Sequence, residues 1–226
     1  MINEFKISGT QKNMLLLLFI FSFPALYYSV VGYLDIWILL FTSISSLLAK
    51  TIQSTRTQSI YLLARFIATF FKESVIFTLP FISLTLLQKS KSIRKTLLFI
   101  FSALSLWIIS SYLSRHIIPT NDINYTWLPS IKRVIMNANR PRAIPSLLLS
   151  IGIQGFWFVW LIFRRKIAFS SPFSIGFFSF FSLWVYSFLT AYANGRFIWP
   201  AMVFSTLGIA QYLGSKSSIS NNRSLT

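Results

Sequence analysis

Phe71-Lys72-Glu73-Ser74-Val75 sets two opposite charges directly between apolar runs, residues 59 to 71 before it and 75 to 87 after it. If those runs formed one membrane-crossing helix, both charges would lie near its middle, at a cost of about 2.5 to 3.5 kcal/mol each. A turn at the membrane surface avoids that cost. The two runs then form a hairpin, and the sidedness of every other segment follows. Both runs are short for a crossing, which calls for a thinner bilayer or borrowed loop residues.

The composition puts this hairpin in a membrane. Of 226 residues, 54% are hydrophobic and 18% aromatic, against 11% charged, with mean hydropathy +0.65. That is more apolar surface than a soluble core can bury. The acids are Glu4, Asp35, Glu73 and Asp122, against 21 Lys and Arg, for a formal net charge of +17. Most of the positive charge sits in short loops between apolar runs, where the positive-inside rule expects it. No contiguous basic domain tracks a phosphate backbone, which argues against nucleic acid as a partner. Without cysteine there are no disulfides, iron–sulfur clusters or thiol chemistry, and the single His116 argues against a histidine-based metal site.

Working outward from residue 72, residues 14 to 49 are too long for one crossing: as a single helix they would measure about 54 Å against a hydrocarbon core of about 30 Å. The break falls at Gly32-Tyr33-Leu34-Asp35, at the only charge in the run. The predicted crossings are 14–31, 34–49, 59–71, 75–87, 96–114, 146–163, 173–191 and 197–213. The first run follows Lys6 and Lys12 as a signal sequence would, but no small-residue cleavage site leads into a polar mature domain, so it reads as a retained helix. The expected fold is an all-α polytopic bundle of about eight transmembrane helices with both termini cytoplasmic. It comprises a polar segment 1–13, a transmembrane domain 14–213 with an extracytoplasmic loop 115–145, and a disordered tail 214–226. The connectors at Lys50 and Arg56, at Lys89 to Lys95, and at Arg164-Arg165-Lys166 then face inward, and Asp35, Glu73 and Asp122 face outward. Within the loop, Trp127-Leu128-Pro129-Ser130-Ile131-Lys132-Arg133-Val134-Ile135-Met136 suits a short helix lying at the interface.

The outer face thus collects Asp35, Glu73 and Asp122 with Lys72, Lys132, Arg133, Arg140, Arg142 and Arg196. Carboxylates beside a basic cluster at a membrane surface suit a lipid-linked phosphate: cations hold the phosphate, and a carboxylate acts as a base or holds a divalent metal. The plainer reading is that these charges are solvated caps or snorkelling anchors, with Lys72 and Glu73 a turn ion pair. Arg65, inside an apolar run, is expected to snorkel inward, with a buried pairing as the alternative. The aromatic residues read as lipid-facing or interfacial rather than as a sugar platform. No P-loop, dinucleotide fingerprint, GxSxG or HExxH occurs.

Three stretches carry a family resemblance: Gly32-Tyr33-Leu34-Asp35-Ile36-Trp37 opening a helix; Phe71-Lys72-Glu73-Ser74 before Val75-Ile76-Phe77-Thr78-Leu79-Pro80; and Asn194-Gly195-Arg196-Phe197-Ile198-Trp199-Pro200 opening the last helix. In this order they resemble the later membrane helices of GT-C glycosyltransferases, which use polyprenyl-phosphate-linked sugars and include protein mannosyltransferases. The resemblance covers most of residues 27 to 213 through short motifs. It implies a multi-helix membrane fold and sugar transfer on the outer face, with Lys72, Glu73 and Arg196 bordering the donor phosphate and Asp35 near the site. Family members carry their principal catalytic aspartate in a large first outer loop, and this chain has no such loop. Three readings stay open: a truncated or split member needing a partner membrane subunit, an inactive derivative, or a compact relative with Asp35 or Asp122 as base.

The expected function is that of a membrane glycosyltransferase-like protein, transferring or binding a polyprenyl-phosphate-linked hexose or pentose in envelope polysaccharide or glycolipid assembly at the bacterial cytoplasmic membrane. The cofactor stays undetermined, with a divalent metal as one option. The rival is a non-enzymatic lipid-linked-glycan transporter or a structural membrane subunit. Transporters place ionisable residues at mid-membrane depth on broken helices, whereas here, Arg65 apart, the charges lie at helix ends.

Overall fold

The computed structural model describes residues 7–20, 35–117, 129–190 and 198–223, and within these it leaves aside the side chains of 35, 36, 143 and 217–223. Among the described residues all regular structure is helical. The helices are α1 Gly9–Ile20, α2 Asp35–Leu48, α3 Thr55–Phe71, α4 Leu79–Ser90, α5 Ile93–Ile117, α6 Ile131–Ala138, α7 Ala143–Phe163, α8 Pro172–Thr190 and α9 Ala201–Arg223, with 3₁₀ turns at Ala49–Thr51 and Glu73–Thr78. Three of these are long and apolar enough to cross a membrane: Ile93–Ile117, Ile144–Phe163 and Pro172–Thr190.

The helix breaks at Lys72, where the charges required it. α3 starts four residues before the apolar run because Ser54 caps it, its hydroxyl accepting from the Thr57 amide at 3.1 Å. It ends where Lys72 turns extended, at φ −160° and ψ 116°. The chain continues as the 3₁₀ segment Glu73–Thr78 and then α4, with Pro80 in its first turn, where the missing amide hydrogen costs nothing. The higher rise of a 3₁₀ helix stretches residues 73–90 to about 30 Å of contour, against about 25 Å for α3. The second arm of the hairpin is thereby the longer of the two.

Ring contacts give the direction of the other helices. Phe77 meets Phe180 at 6.2 Å and Phe81 meets Phe173 at 5.7 Å, so α8 runs antiparallel to α4 and its C-terminal end lies at the Glu73 end. Tyr61 meets Phe99 at 5.6 Å, and the Ser110 hydroxyl donates to the Phe66 carbonyl at 2.8 Å, so α5 runs parallel to α3 and also ends there. At the opposite end the basic connectors gather. The Gln53 side-chain amide donates to the Lys89 carbonyl, Lys89 Nζ to the Lys50 carbonyl, and Lys95 Nζ to the Gln53 carbonyl at 2.8 Å. Arg164-Arg165-Lys166 turns α7 into α8 at that same end. Arg165 takes a left-handed φ of 53°, and the amides of Arg165 and Lys166 close back on Ile162 and Leu161, each at 2.9 Å.

α5 buries hydroxyls and turns large apolar side chains outward. On α5, Leu97, Leu98, Phe101, Ile108 and Tyr112 are at least 59% exposed, while Ser110, Ser111 and Ser114 of the same helix are buried. Most buried hydroxyls bond within their own helix, as Thr42 does to the Ile38 carbonyl at 2.7 Å and Thr85 to the Phe81 carbonyl at 2.8 Å. The core joins Phe81, Phe158, Phe177, Phe180 and Phe204, all buried. Phe81 and Phe204 centre 4.7 Å apart, and Phe158 and Phe177 5.4 Å. These phenylalanines, expected to face lipid, instead fill the spaces between α4, α7, α8 and α9.

Two glycines decide how α7 lies. Gly152 breaks it with φ 61° and ψ 174°, a conformation essentially reserved for glycine. Just past this break, buried Gln154 donates to the Leu18 carbonyl of α1 at 3.3 Å. On α9, Gly208 has no side chain where the Phe158 ring of α7 packs.

The element bounds differ from expectation mainly at polar ends. α5 covers 93–117 rather than 96–114, because Ser92 opens it and the basic residues Arg115 and His116 suit its last turn. α7 begins at Ala143 rather than 146, since Pro145 is tolerated in a first turn. α9 runs on to Arg223.

Candidate functional site

At the end of the bundle opposite the basic connectors, Glu73 meets Arg115 of α5. Arg115 Nε donates to Glu73 Oε1 at 2.9 Å and Nη2 to Oε2 at 3.2 Å, a two-pronged pair. The turn carbonyl of Glu73 also accepts from Trp107 Nε1 at 2.9 Å. Both contacts come from α5, which runs parallel to α3, so the short Glu73–Thr78 segment is held on one side by a neighbouring helix. Glu73 is 29% and Arg115 48% exposed at the side chain, so the pair lies at a rim in contact with its surroundings.

Arg115 was not among the expected site residues. It falls where the apolar run gives way to polar sequence, so composition assigns it to the loop. The signal that could have found it is a basic residue one turn beyond an apolar helix, where the C-terminal dipole favours a cation.

The basic segment lies at the same end of the bundle. α6 docks on the C-terminal end of α8: the Ser130 amide donates to the Leu189 carbonyl at 3.0 Å and buried Asn137 Nδ2 to the Phe188 carbonyl at 2.8 Å. Its apolar side chains Ile131 and Ile135, at i and i+4 on one face, are 80% and 56% exposed. Lys132, Arg140 and Arg142 are exposed and Arg133 half-buried, so this short helix offers both aliphatic and cationic surface. That is the composition of a helix lying in a membrane interface.

Of the nine expected site residues, the structure therefore brings Lys72, Glu73, Lys132, Arg133, Arg140 and Arg142 to one end of the bundle. Asp122 and Arg196 lie outside the described residues. Asp35 is the first residue of α2, and its side chain is likewise outside them. Among the described residues no three His, Cys, Asp or Glu side chains group to hold a metal ion.

Arg65 corrects an expectation. Rather than snorkelling to the inner surface, it is 1% exposed on the buried face of α3, in line with Thr57, Tyr61 and Thr69. Its Nε, Nη1 and Nη2 are all buried without a hydrogen-bond partner among the described residues. Sequence spacing hides this, because whether a helical arginine faces lipid or neighbouring helices depends on the rotation that packing selects.

Between α3 and α5, Ser59, Leu62, Leu63, Phe66 and Leu106 line a shallow, open groove with almost no polar surface. No family model, curated protein or solved structure matches the chain.

Proposed function

We propose that this chain is an integral protein of the bacterial cytoplasmic membrane, crossing it eight times with both termini inside, and that it takes a polyprenyl-phosphate-linked sugar at its outer rim. Support for the sidedness comes from the short connectors: the three at one end of the helices are basic and carry no acid, and Glu73 stands at the other end. The observation that carries the functional reading is the placement of Glu73, paired with Arg115, at the same end as the Lys132 to Arg142 segment. Such a rim joins cations for a phosphate to an interfacial helix that meets the lipid carrying it. The apolar groove along α3 and α5 suits an isoprenoid chain.

In this reading Asp35 or Asp122 deprotonates the acceptor hydroxyl, which attacks the anomeric carbon, and Lys72 with Arg196 stabilises the departing phosphate. Glu73 serves as a positioning residue, tying the turn that bears Lys72 to α5. Sugar transfer from a polyprenyl-phosphate donor, measured on purified protein in nanodiscs, tests this. Lys72→Ala should lower kcat by tenfold or more with the thermal midpoint unchanged, and Glu73→Gln should lower kcat less. Full activity in well-folded Lys72→Ala contradicts the reading.

The transporter reading draws on a different observation, the buried Arg65 and the break at Gly152, both inside helices rather than at their ends. Movement of a lipid-linked glycan between leaflets of proteoliposomes, with no transfer product, would select it.

A further inference from the structure

We propose that Arg65 anchors an oxyanion-binding site inside the helix bundle, distinct from the outer rim. The inference rests on burial and hydrogen bonding alone and stands apart from the sugar-transfer reading.

Arg65 lies about 9 Å along α3 from Phe71 and about 15 Å from Thr55, one to two turns deeper than the break at Lys72. Helical side chains lean toward the N-terminus, which brings Arg65 over Tyr61, one turn earlier on the same face. Tyr61 is fully buried, between Phe41 of α2 at 5.8 Å and Phe99 of α5 at 5.6 Å. The Tyr61 hydroxyl lies 3.1 Å from Thr78 Oγ1, and the Thr78 hydroxyl donates to the Val75 carbonyl at 2.8 Å. Thr78 has one hydrogen and that bond uses it, so Tyr61 must donate to Thr78. This leaves the phenol oxygen of Tyr61 as a polar neighbour of Arg65.

A guanidinium carries five N–H donors and stays charged in proteins. Buried with one phenol oxygen beside it, that charge is left largely uncompensated. Its fork matches two oxygens of one phosphate or carboxylate. Acids are scarce, four in the chain, and Glu73 is engaged by Arg115. The oxyanion Arg65 calls for is on this reading one from outside the chain, either the phosphate of a lipid headgroup or a free phosphate.

The test uses the full-length protein in nanodiscs of neutral digalactosyldiacylglycerol, a lipid without phosphate, with phosphatidic acid as the lipid-borne probe and inorganic phosphate as the soluble one. The wild type should gain several degrees in thermal midpoint with at least one of them: phosphatidic acid alone identifies a lipid source, inorganic phosphate a soluble one. Arg65→Met removes the charge while keeping an unbranched apolar stem. It should be at least as stable as the wild type in neutral nanodiscs, and neither probe should raise its midpoint. Lys166→Gln, an exposed change in the basic connector at the other end of the bundle, should respond as the wild type does. Absence of any response in the wild type, or an equal response in Arg65→Met, overturns the proposal. So does a lower midpoint of Arg65→Met in neutral nanodiscs that Asp35→Asn restores, because the counter-ion is then a carboxylate of this chain.

Discussion

Glu73 and Arg115 stand 42 positions apart in the chain and share two hydrogen bonds, joining a 3₁₀ turn to the last turn of α5. The pair gives α5 a fixed height relative to the break at Lys72. Partial exposure limits its strength. A double-mutant cycle with Glu73→Gln and Arg115→Gln, read from thermal or denaturant unfolding in detergent, should show a coupling of about 0.5 to 1 kcal/mol that shrinks as salt is added. Coupling indistinguishable from zero at low salt would mean the pair does not persist in solution.

Trp107 holds the same turn by its backbone. Trp107→Phe keeps the ring but removes the donor to the Glu73 carbonyl, and should cost about 1 kcal/mol. Measured beside Glu73→Gln, the two losses should fall short of additivity, since both act on one turn.

The two ends of the bundle should face different compartments. The chain contains no cysteine, so single cysteines can be placed without background. In intact cells Lys72→Cys and Lys132→Cys should react with a membrane-impermeant maleimide, and Arg94→Cys only after permeabilisation. Labelling of Lys72→Cys and Arg94→Cys in the same compartment would remove the basis for an outer rim.

Close packing of α9 on α7 requires glycine at 208. A methyl group there would overlap the Phe158 ring, which is itself fully buried. Gly208→Ala should destabilise by about 1 to 3 kcal/mol through overpacking. Gly9→Ala, in open space at the start of α1, should be neutral or slightly stabilising. Equal midpoints for the two variants would refute this packing.

The break in α7 makes a separate demand at Gly152. Alanine there must enter a region of backbone space it rarely occupies, with its Cβ 3.2 Å from Gln154 Oε1. Gly152→Ala should cost about 1 to 3 kcal/mol. Hydrogen exchange should report which way the strain resolves, with the amides after 152 becoming better protected if the helix straightens.

Some of this was legible in one dimension. The helical class, the break at Lys72 and the gathering of basic connectors at one end follow from apolar run length and the cost of a charge in hydrocarbon. Both are local quantities that neighbouring residues alone determine. Pro129-Ser130 before Ile131 likewise marked α6, because its alternation of aliphatic and basic side chains repeats at helical spacing. The partner of Glu73 was not legible, because it comes from a helix whose height and rotation only packing sets. For the same reason Arg65 could be read as snorkelling and Phe81, Phe158 and Phe204 as lipid-facing: in an apolar helix every face is greasy, and hydropathy does not say which face meets its neighbours. Tertiary contact decided that, through the fit of rings against Gly176 and Gly208, and with it which charges stand at a rim and which one lies buried.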